Sequence, residues 1–363
     1  MRILLVSGFG ITPQRGGQGT FCAQLAVGLT HLGHEVWIAT PDRPAWTAWA
    51  SSIQSNSISI KSYSLNNFAR ADVIHVNNIV LRGIVGALVA RKPLVITHQD
   101  YRAQCPSWTS YSPQGPCRLR PQQRGPCSNC LRKSWWLRYR LRLQVRLLAR
   151  AENVGVSYHV RSRLGLAHAI WSPYDATQVP DLSRHPTEPR IAFIGRLVPE
   201  KGPHIVVQSL KYLKHIIIDI FGNGPMEDEL RTEASKLGFR DRVHFHGHRL
   251  NPIGLARTAM AIVVPSLWDE PFGYVTVEAM AAGKSVIAAA TGASVELLAD
   301  ERGWLVPPAD PKALADAVRQ VQADPSEAQR RGCRAREFVL TTLNPVKIAE
   351  LYEKIYQLAA LKS

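Results

Sequence analysis

Three neighbouring stretches at the start of the chain decide how the rest is read: RILLVS (2–7), TFCAQLAVGLTHLG (20–33) and EVWIAT (35–40). A short β-branched run, a stretch with apolar residues at helical spacing and a second β-branched run give a strand, a helix and a strand, the rhythm of parallel sheets. The rhythm continues through DVIHVNN (72–78), a helix after Val80, PLVITH (93–98), a long insertion, NVGVS (153–157) and AIWSP (169–173). These make one doubly wound unit.

The stretch PYDATQVPDLSRHPTEP (173–189) is rich in proline and polar residues without periodicity, as a linker is. The rhythm then restarts with RIAFIG (190–195), a helix after Lys201, IIIDIFG (216–222), a helix through Met226 to Leu237, RVHFHG (242–247), AIVVPS (261–266), a helix holding Glu278, SVIAAA (285–290) and GWLVP (303–307). The chain closes on helical patterns, the last NPVKIAELYEKIYQLAAL (344–361), with Asn344 as cap and Pro345 in the first turn. The expected organisation is an N-terminal domain over 1–175 with a Cys/Arg-rich insertion at about 100–150, a second domain over 185–343, and a closing helix over 344–363 that packs back on the first. Its 363 residues exceed what one core usually organises. Two such sheets place a cleft at the C-terminal edges of their strands, where open parallel sheets bind ligands.

The N-terminus lacks the long apolar region and small-residue cleavage site of a signal peptide, and no apolar run reaches the ~20 residues of a membrane span. A cytoplasmic protein is expected, at most peripheral on the inner face of a membrane. Lys and Arg outnumber Asp and Glu 44 to 28, a net charge of +16, which favours phosphorylated ligands, anionic lipid surfaces or polyanions. Between Asp100 and Glu152 there is no acidic residue, whereas eleven cationic ones from Arg102 to Arg150 fall in that stretch.

The loops at the strand edges carry the candidate chemistry. In GFGITPQRGGQGTF (8–21), Pro13 stands where the dinucleotide fingerprint needs its third glycine, which disfavours a hydride-transfer enzyme. Gly16 and Gly17 precede a helix, where small residues let amides approach a phosphate; a surface loop reads the same way. In IGRLVPEKG (194–202), Arg196 and Lys201 are placed to meet a doubly charged group. In FGNGPMEDEL (221–230), Gly222 and Gly224 again precede a helix.

The third element, WDEPFGYVTVEAMAAG (268–283), places Glu270 ahead of a helix start near Phe272 or Gly273 and Glu278 inside the helix. The amides of Gly273, Tyr274 and Val275 are free to donate to an anion. Glu278 can accept two hydrogen bonds from a vicinal diol such as a ribose, and Glu270 can reach another hydroxyl-rich group. A helix-dipole partner is the plainer reading of Glu278. Its apolar neighbours Val275, Val277, Ala279 and Met280 weigh against that, because a buried unpaired carboxylate is expensive.

With these elements in this order the chain resembles the retaining glycosyltransferases of family 4, in the glycosyl transferases group 1, which have the GT-B fold of two facing Rossmann-like domains. The resemblance runs from GGQGTFCAQLAVGLTHLGHEVWIAT through GRLVPEKG and FGNGP to PSLWDEPFGYVTVEAMAAGKSVIA and TGASVELLADERGWLVPPAD. It implies that Glu278 binds the nucleotide ribose, that Arg196 and Lys201 stabilise the diphosphate leaving group, that Glu270 and the amides after Phe272 hold donor sugar and phosphate, and that Gly16 and Gly17 line the other wall. It further implies a UDP- or GDP-sugar co-substrate, a glycan or lipid-linked acceptor in envelope or exopolysaccharide synthesis, no essential catalytic metal and no nucleic-acid partner. Members often carry a histidine directly before an aspartate after the last N-domain strands. Here the run is VITHQDYRAQCP (95–106), so Gln99 takes that place and His98 is displaced by one; a slip of one residue in a loop can still present His98, and both are candidates for the contact with the donor sugar.

Cys105, Cys117, Cys127 and Cys130 lie in the insertion. A structural zinc, disulfides and free thiols are the alternatives, with a loop-shaping role in each case. The following LRKSWWLRYRLRLQVRLLAR (131–150) reads as an interfacial helix able to meet anionic lipid, or as a core-packed helix with a solvated arginine face. The competing functions are another sugar-nucleotide enzyme on the same fold, such as a hydrolase or epimerase, and a basic membrane- or nucleic-acid-binding module.

Overall fold

Strand β1 (Arg2–Val6) is the middle of the first sheet, paired in parallel with β2 (Glu35–Ala39) on one side and β4 (Val73–Asn77) on the other, so that Val6 stands opposite both Ala39 and Val76. Ile3, Leu4 and Val6 are fully buried, as expected of a parallel sheet covered on both faces. With β3 (Ile58–Lys61), β5 (Leu94–His98), β8 (Glu152–Gly155) and β9 (His168–Ala169), the order is β3-β2-β1-β4-β5-β8-β9. Two short strands, β6 (Tyr111–Ser112) and β7 (Gly115–Pro116), form a separate antiparallel pair.

This computed structural model describes residues 1–363 except 9, 14–15, 54, 56, 106–108, 110, 113–114, 117–147, 185, 187 and 363. Three of the four clustered cysteines, Cys117, Cys127 and Cys130, and nearly all of the 131–150 stretch therefore lie outside the described residues.

The second sheet comprises β10 (Arg190–Ile194), β11 (Ile217–Phe221), β12 (Val243–Gly247), β13 (Ala261–Val264), β14 (Ser285–Ala289) and β15 (Trp304–Val306), in the order β12-β11-β10-β13-β14-β15. All of its pairings are parallel. In both sheets the order reverses beside the first strand, the signature of a doubly wound Rossmann-like unit.

The chain divides into two compact units, one of Met1–Ser110, Arg118–Asp175 and Thr342–Ser363, the other of Tyr111–Cys117 and Ala176–Thr341. The closing helix Pro345–Leu361 is capped by Asn344, whose side chain accepts from the Val346 amide at 2.9 Å, and starts with proline at its first position. It packs within the first unit. A Cβ on Gly28 of the helix Gly16–His31 would overlap the Pro345 carbonyl. Below this helix lies a buried polar chain: His75 bonds Tyr356 through Nδ1 at 2.8 Å and Thr97 through Nε2 at 2.7 Å, and Thr97 meets the Tyr352 hydroxyl at 2.9 Å.

Candidate active site

In the second unit the loop after β13 carries the site. Glu270 is 5% exposed, and its Oε1 accepts from Ser266 Oγ at 2.8 Å and from Lys201 Nζ. Lys201 ends the short 3-10 turn Pro199–Lys201, and its ammonium also lies 5.1 Å from the Trp268 ring centroid. Burial works against charge on Glu270, but the Lys201 charge and the hydrogen bonds outweigh it and hold the carboxyl below its ordinary range. Glu270 and Lys201, expected as two independent ligand contacts, thus form one ion pair.

Backbone contacts fix this pair from both sides. Leu267 donates to the Glu200 carbonyl at 2.8 Å, Ala293 to the Glu270 carbonyl at 2.8 Å, and Thr291 Oγ1 to the Ser266 carbonyl at 3.1 Å. A Cβ at Gly292 would overlap the Glu270 backbone, so only glycine lets the 290–293 loop come this close.

Phe272 is buried, and the helix Tyr274–Ala281 follows with Gly273 as its cap at φ 86, a left-handed conformation that costs glycine little. The helix is short, and the amides of Gly273, Tyr274 and Val275 fall at its start, as the sequence implies. Glu278 follows one turn later. Its carboxylate has no hydrogen bond or ion pair with any described residue, and burial pushes it up from 4.5 to about 7. The contrast with Glu270 is chemical: one carboxylate is neutralised by Lys201 and the other has no partner among the described residues.

Arg196 sits on the loop after β10 with 67% of its side chain exposed, held loosely by Glu200 at 3.6 Å. It is free to swing onto an anion at little cost. Gly222 and Gly224 carry a packing task that their spacing did not show. A Cβ at Gly222 would overlap the Gly195 carbonyl, and one at Gly224 the Leu197 carbonyl. They are glycines because the β10 and β11 loops pack backbone to backbone, which seats the loop bearing Arg196 on its neighbour; Leu197 N donates to Asn223 O at 3.0 Å.

In the first unit, Gly16 and Gly17 open the helix Gly16–His31 at the end of β1. The Gln18 carbonyl accepts from Asn77 Nδ2 at 2.8 Å, and Asn77 Oδ1 accepts from Gln99 Nε2. Gln99 therefore stands beside the glycine loop. His98 does not: it is 1% exposed, bonds Asn153 on β8 at 2.8 Å, and burial lowers its pKa against the opposing pull of Asn153 and Asp100. The expectation that His98 is presented to a ligand is corrected, because successive side chains at a strand end point to opposite sides and a slip of one residue cannot be absorbed. Asp100 is satisfied by Arg102 at 2.6 Å and Asn78 at 2.9 Å.

Cys105 is buried, and among the described residues no group of three His, Cys, Asp or Glu is placed to hold a metal ion. Also among the described residues, no helix is long and apolar enough to cross a membrane. Sequence reasoning missed Ser266, Thr291, Gly292 and Asn77. Thr291 and Gly292 lie in the TGAS stretch that carried the resemblance, and Asn77 is a polar residue closing a buried strand, a signal that was readable.

Two Rossmann-like units, each built on a doubly wound parallel sheet, give the chain the GT-B fold class. The model of the family described as glycosyl transferases group 1 matches residues 176–338. The chain is 33% identical through 203 residues to the glycogen synthase of Mycobacterium tuberculosis, covering 53% of this chain and 49% of that protein. It is 29% identical through 170 residues to the lipopolysaccharide core biosynthesis glycosyltransferase LpsD of Rhizobium meliloti, covering 47% and 49%. The aligned stretch spans about half the length of these curated relatives. The fold as a whole is shared with the Anabaena HepE structure in complex with UDP, at a TM-score of 0.75 and 19% identity over 98% of this chain and 100% of that one.

Proposed function

We propose that the chain is a retaining glycosyltransferase that moves a hexose from a nucleoside-diphosphate sugar, with UDP or GDP as nucleotide, to a glycan or lipid-linked acceptor in envelope or exopolysaccharide synthesis. The observation that supports this reading most is Glu278: a partly buried carboxylate with no hydrogen bond or ion pair among the described residues, one turn into the helix that follows the loop carrying Glu270 and its partner Lys201. A ribose diol supplies the two donors that such a carboxylate lacks, and the adjoining cations and amides suit a diphosphate. Relatives named for polysaccharide and lipopolysaccharide synthesis, and structural neighbours holding UDP and UDP-glucose, support the same class.

In this reading the bond between the anomeric carbon and the β-phosphate oxygen breaks, and the acceptor hydroxyl oxygen bonds to the anomeric carbon on the same face. The acceptor proton passes to the departing phosphate. Charge develops on the leaving diphosphate, so Arg196, Lys201 and the amides of Gly273 to Val275 act where the barrier is lowered most. Glu270, fixed by Ser266 and Lys201, orients the sugar hydroxyls. Gln99, with Gly16 and Gly17, serves the first unit's side of the reaction. The chemistry needs no metal for this charge.

The test is a thermal-shift screen against UDP, GDP, ADP and their sugars. One nucleotide should raise the melting temperature of the wild type, an effect abolished by Glu278→Ala and weakened about tenfold in affinity by Arg196→Ala, whose unliganded stability should stay within ~0.5 kcal/mol because the side chain is exposed. No shift with any nucleotide, or a shift that Glu278→Ala retains, would sink the reading.

A further inference from the structure

The helix Leu81–Val89, LRGIVGALV, is apolar on both sides. Its inner side, Gly83, Ile84, Gly86 and Ala87, is buried in the first unit, with the Phe68 ring against Gly86. Its outer side carries Leu81, Val85 and Val89, exposed at 46%, 44% and 61%. Steps of four residues put these three in one stripe along the helix. Arg82, the single charged residue of the helix, borders that stripe. An ordinary surface helix turns polar residues outward, whereas one apolar all round is built to be covered.

The charges around the stripe indicate what covers it. Arg82 and Arg91 are exposed, Lys92 is half-buried at the helix end, and exposed Arg70 lies on the neighbouring helix Leu65–Arg70. No Asp or Glu occurs from Val73 to Gln99. The flanking acids are already engaged, Asp72 by the Arg2 amide at 2.6 Å and Asp100 by Arg102. A second copy seated on this face would set cation against cation, which opposes self-association. An apolar stripe flanked by Arg82 and Arg91, on a stretch without acids, matches an interface of acyl chains under anionic headgroups.

We propose that the helix Leu81–Val89 docks this chain on an anionic lipid bilayer, with Leu81, Val85 and Val89 entering the boundary between headgroups and acyl chains and Arg82 and Arg91 meeting lipid phosphates. The helix starts beside the glycine loop: Val80 Cγ2 lies 3.5 Å from where a Gly8 Cβ would stand. A bilayer on this stripe therefore adjoins the loop-bearing edge of the first unit, so an acceptor carried by lipid would arrive there. That last step rests on the transferase reading; the docking does not, and it can be measured without turnover.

The intact protein is sedimented with vesicles of phosphatidylcholine alone and of phosphatidylcholine with phosphatidylglycerol, alongside V85E/V89E and R82Q/R91Q. The wild type should partition onto the anionic vesicles and far less onto the neutral ones. V85E/V89E should lose about tenfold or more in partitioning, and R82Q/R91Q about fivefold per cation removed. Both variants alter exposed side chains and should keep the wild-type melting temperature and nucleotide-induced shift. The proposal is overturned if the wild type ignores anionic vesicles or if V85E/V89E binds them as well as wild type. It is equally overturned if sedimentation velocity shows a wild-type dimer that V85E/V89E dissociates. Vesicle binding without any nucleotide shift would overturn the transferase reading and leave the docking standing.

Discussion

The two units treat their buried ionisable groups in opposite ways. In the first, His75, Thr97, Tyr352 and Tyr356 satisfy one another beneath the closing helix. In the second, Glu278 is partly buried with no partner among the described residues, one turn beyond the loop that carries the paired Glu270. A polar chain closed on itself fastens a helix to a sheet, its hydrogen bonds met from within. An unsatisfied carboxylate costs stability and persists where a ligand supplies the missing donors.

The largest effect that would break this comparison concerns acid. Burial lowers His75 from 6.5 to about 3, so the unfolded chain takes up its proton first as pH falls. Its contribution to stability is present above pH 6.5 and should be lost on acidification towards pH 3, on the order of 4–5 kcal/mol at ~1.4 kcal/mol per unit. Hydrogen exchange in first-unit strands at pH 4.5 and 7.5 measures it. His75→Leu should remove much of that acid sensitivity while costing about 1–3 kcal/mol at neutral pH, for the Thr97 and Tyr356 hydroxyls left unpaired. An unchanged acid response would show that the network does not govern this unit.

Next comes Lys201→Ala, which leaves Glu270 buried without its cation. It should destabilise the second unit by about 3–5 kcal/mol at pH 8. The penalty should shrink at pH 5, because a carboxyl without its lysine can take up a proton. Adding Glu270→Gln should restore most of the loss in urea unfolding; failure to restore it would mean that the pair is not the electrostatic unit described here.

The smallest effect has the opposite sign to the first. Glu278 is raised from 4.5 to about 7, so the unfolded chain releases its proton first as pH rises. Second-unit stability should therefore fall between pH 4.5 and 7, on the order of 2–3 kcal/mol, and Glu278→Gln should flatten the slope. Bound nucleotide should flatten it too, since a diol donating to the carboxylate favours the charged form. A slope that Glu278→Gln leaves intact would assign it to other groups.

Much of this was legible in the sequence. The alternation of short β-branched runs with helical spacing located both sheets, because fully buried parallel strands cannot disguise their apolar runs. The motif from Trp268 to Gly283 placed Glu270, Gly273 and Glu278 correctly along the chain. What it could not show was that Glu270 is consumed by Lys201, sixty-nine residues earlier, or that Ser266 and Ala293 complete its cradle. At Gly222 and Gly224 the spacing could not show the loop-on-loop packing, since such packing and phosphate approach both demand a missing Cβ. His98 shows the same limit, where one residue of slip in a strand decides between the core and the open loop edge.

The sequence by itself determined the two Rossmann-like units, the order of their loops and the residue types gathered at the strand edges. These follow from periodicity and from backbone chemistry that is local to each segment. Only the tertiary structure decided which charges neutralise each other, which carboxylate is left unpartnered, and that the outer face of the helix Leu81–Val89 is bare. Those outcomes depend on what is packed against each side chain by residues far away in the chain, and burial is what gives a charge or an apolar stripe its free-energy consequence.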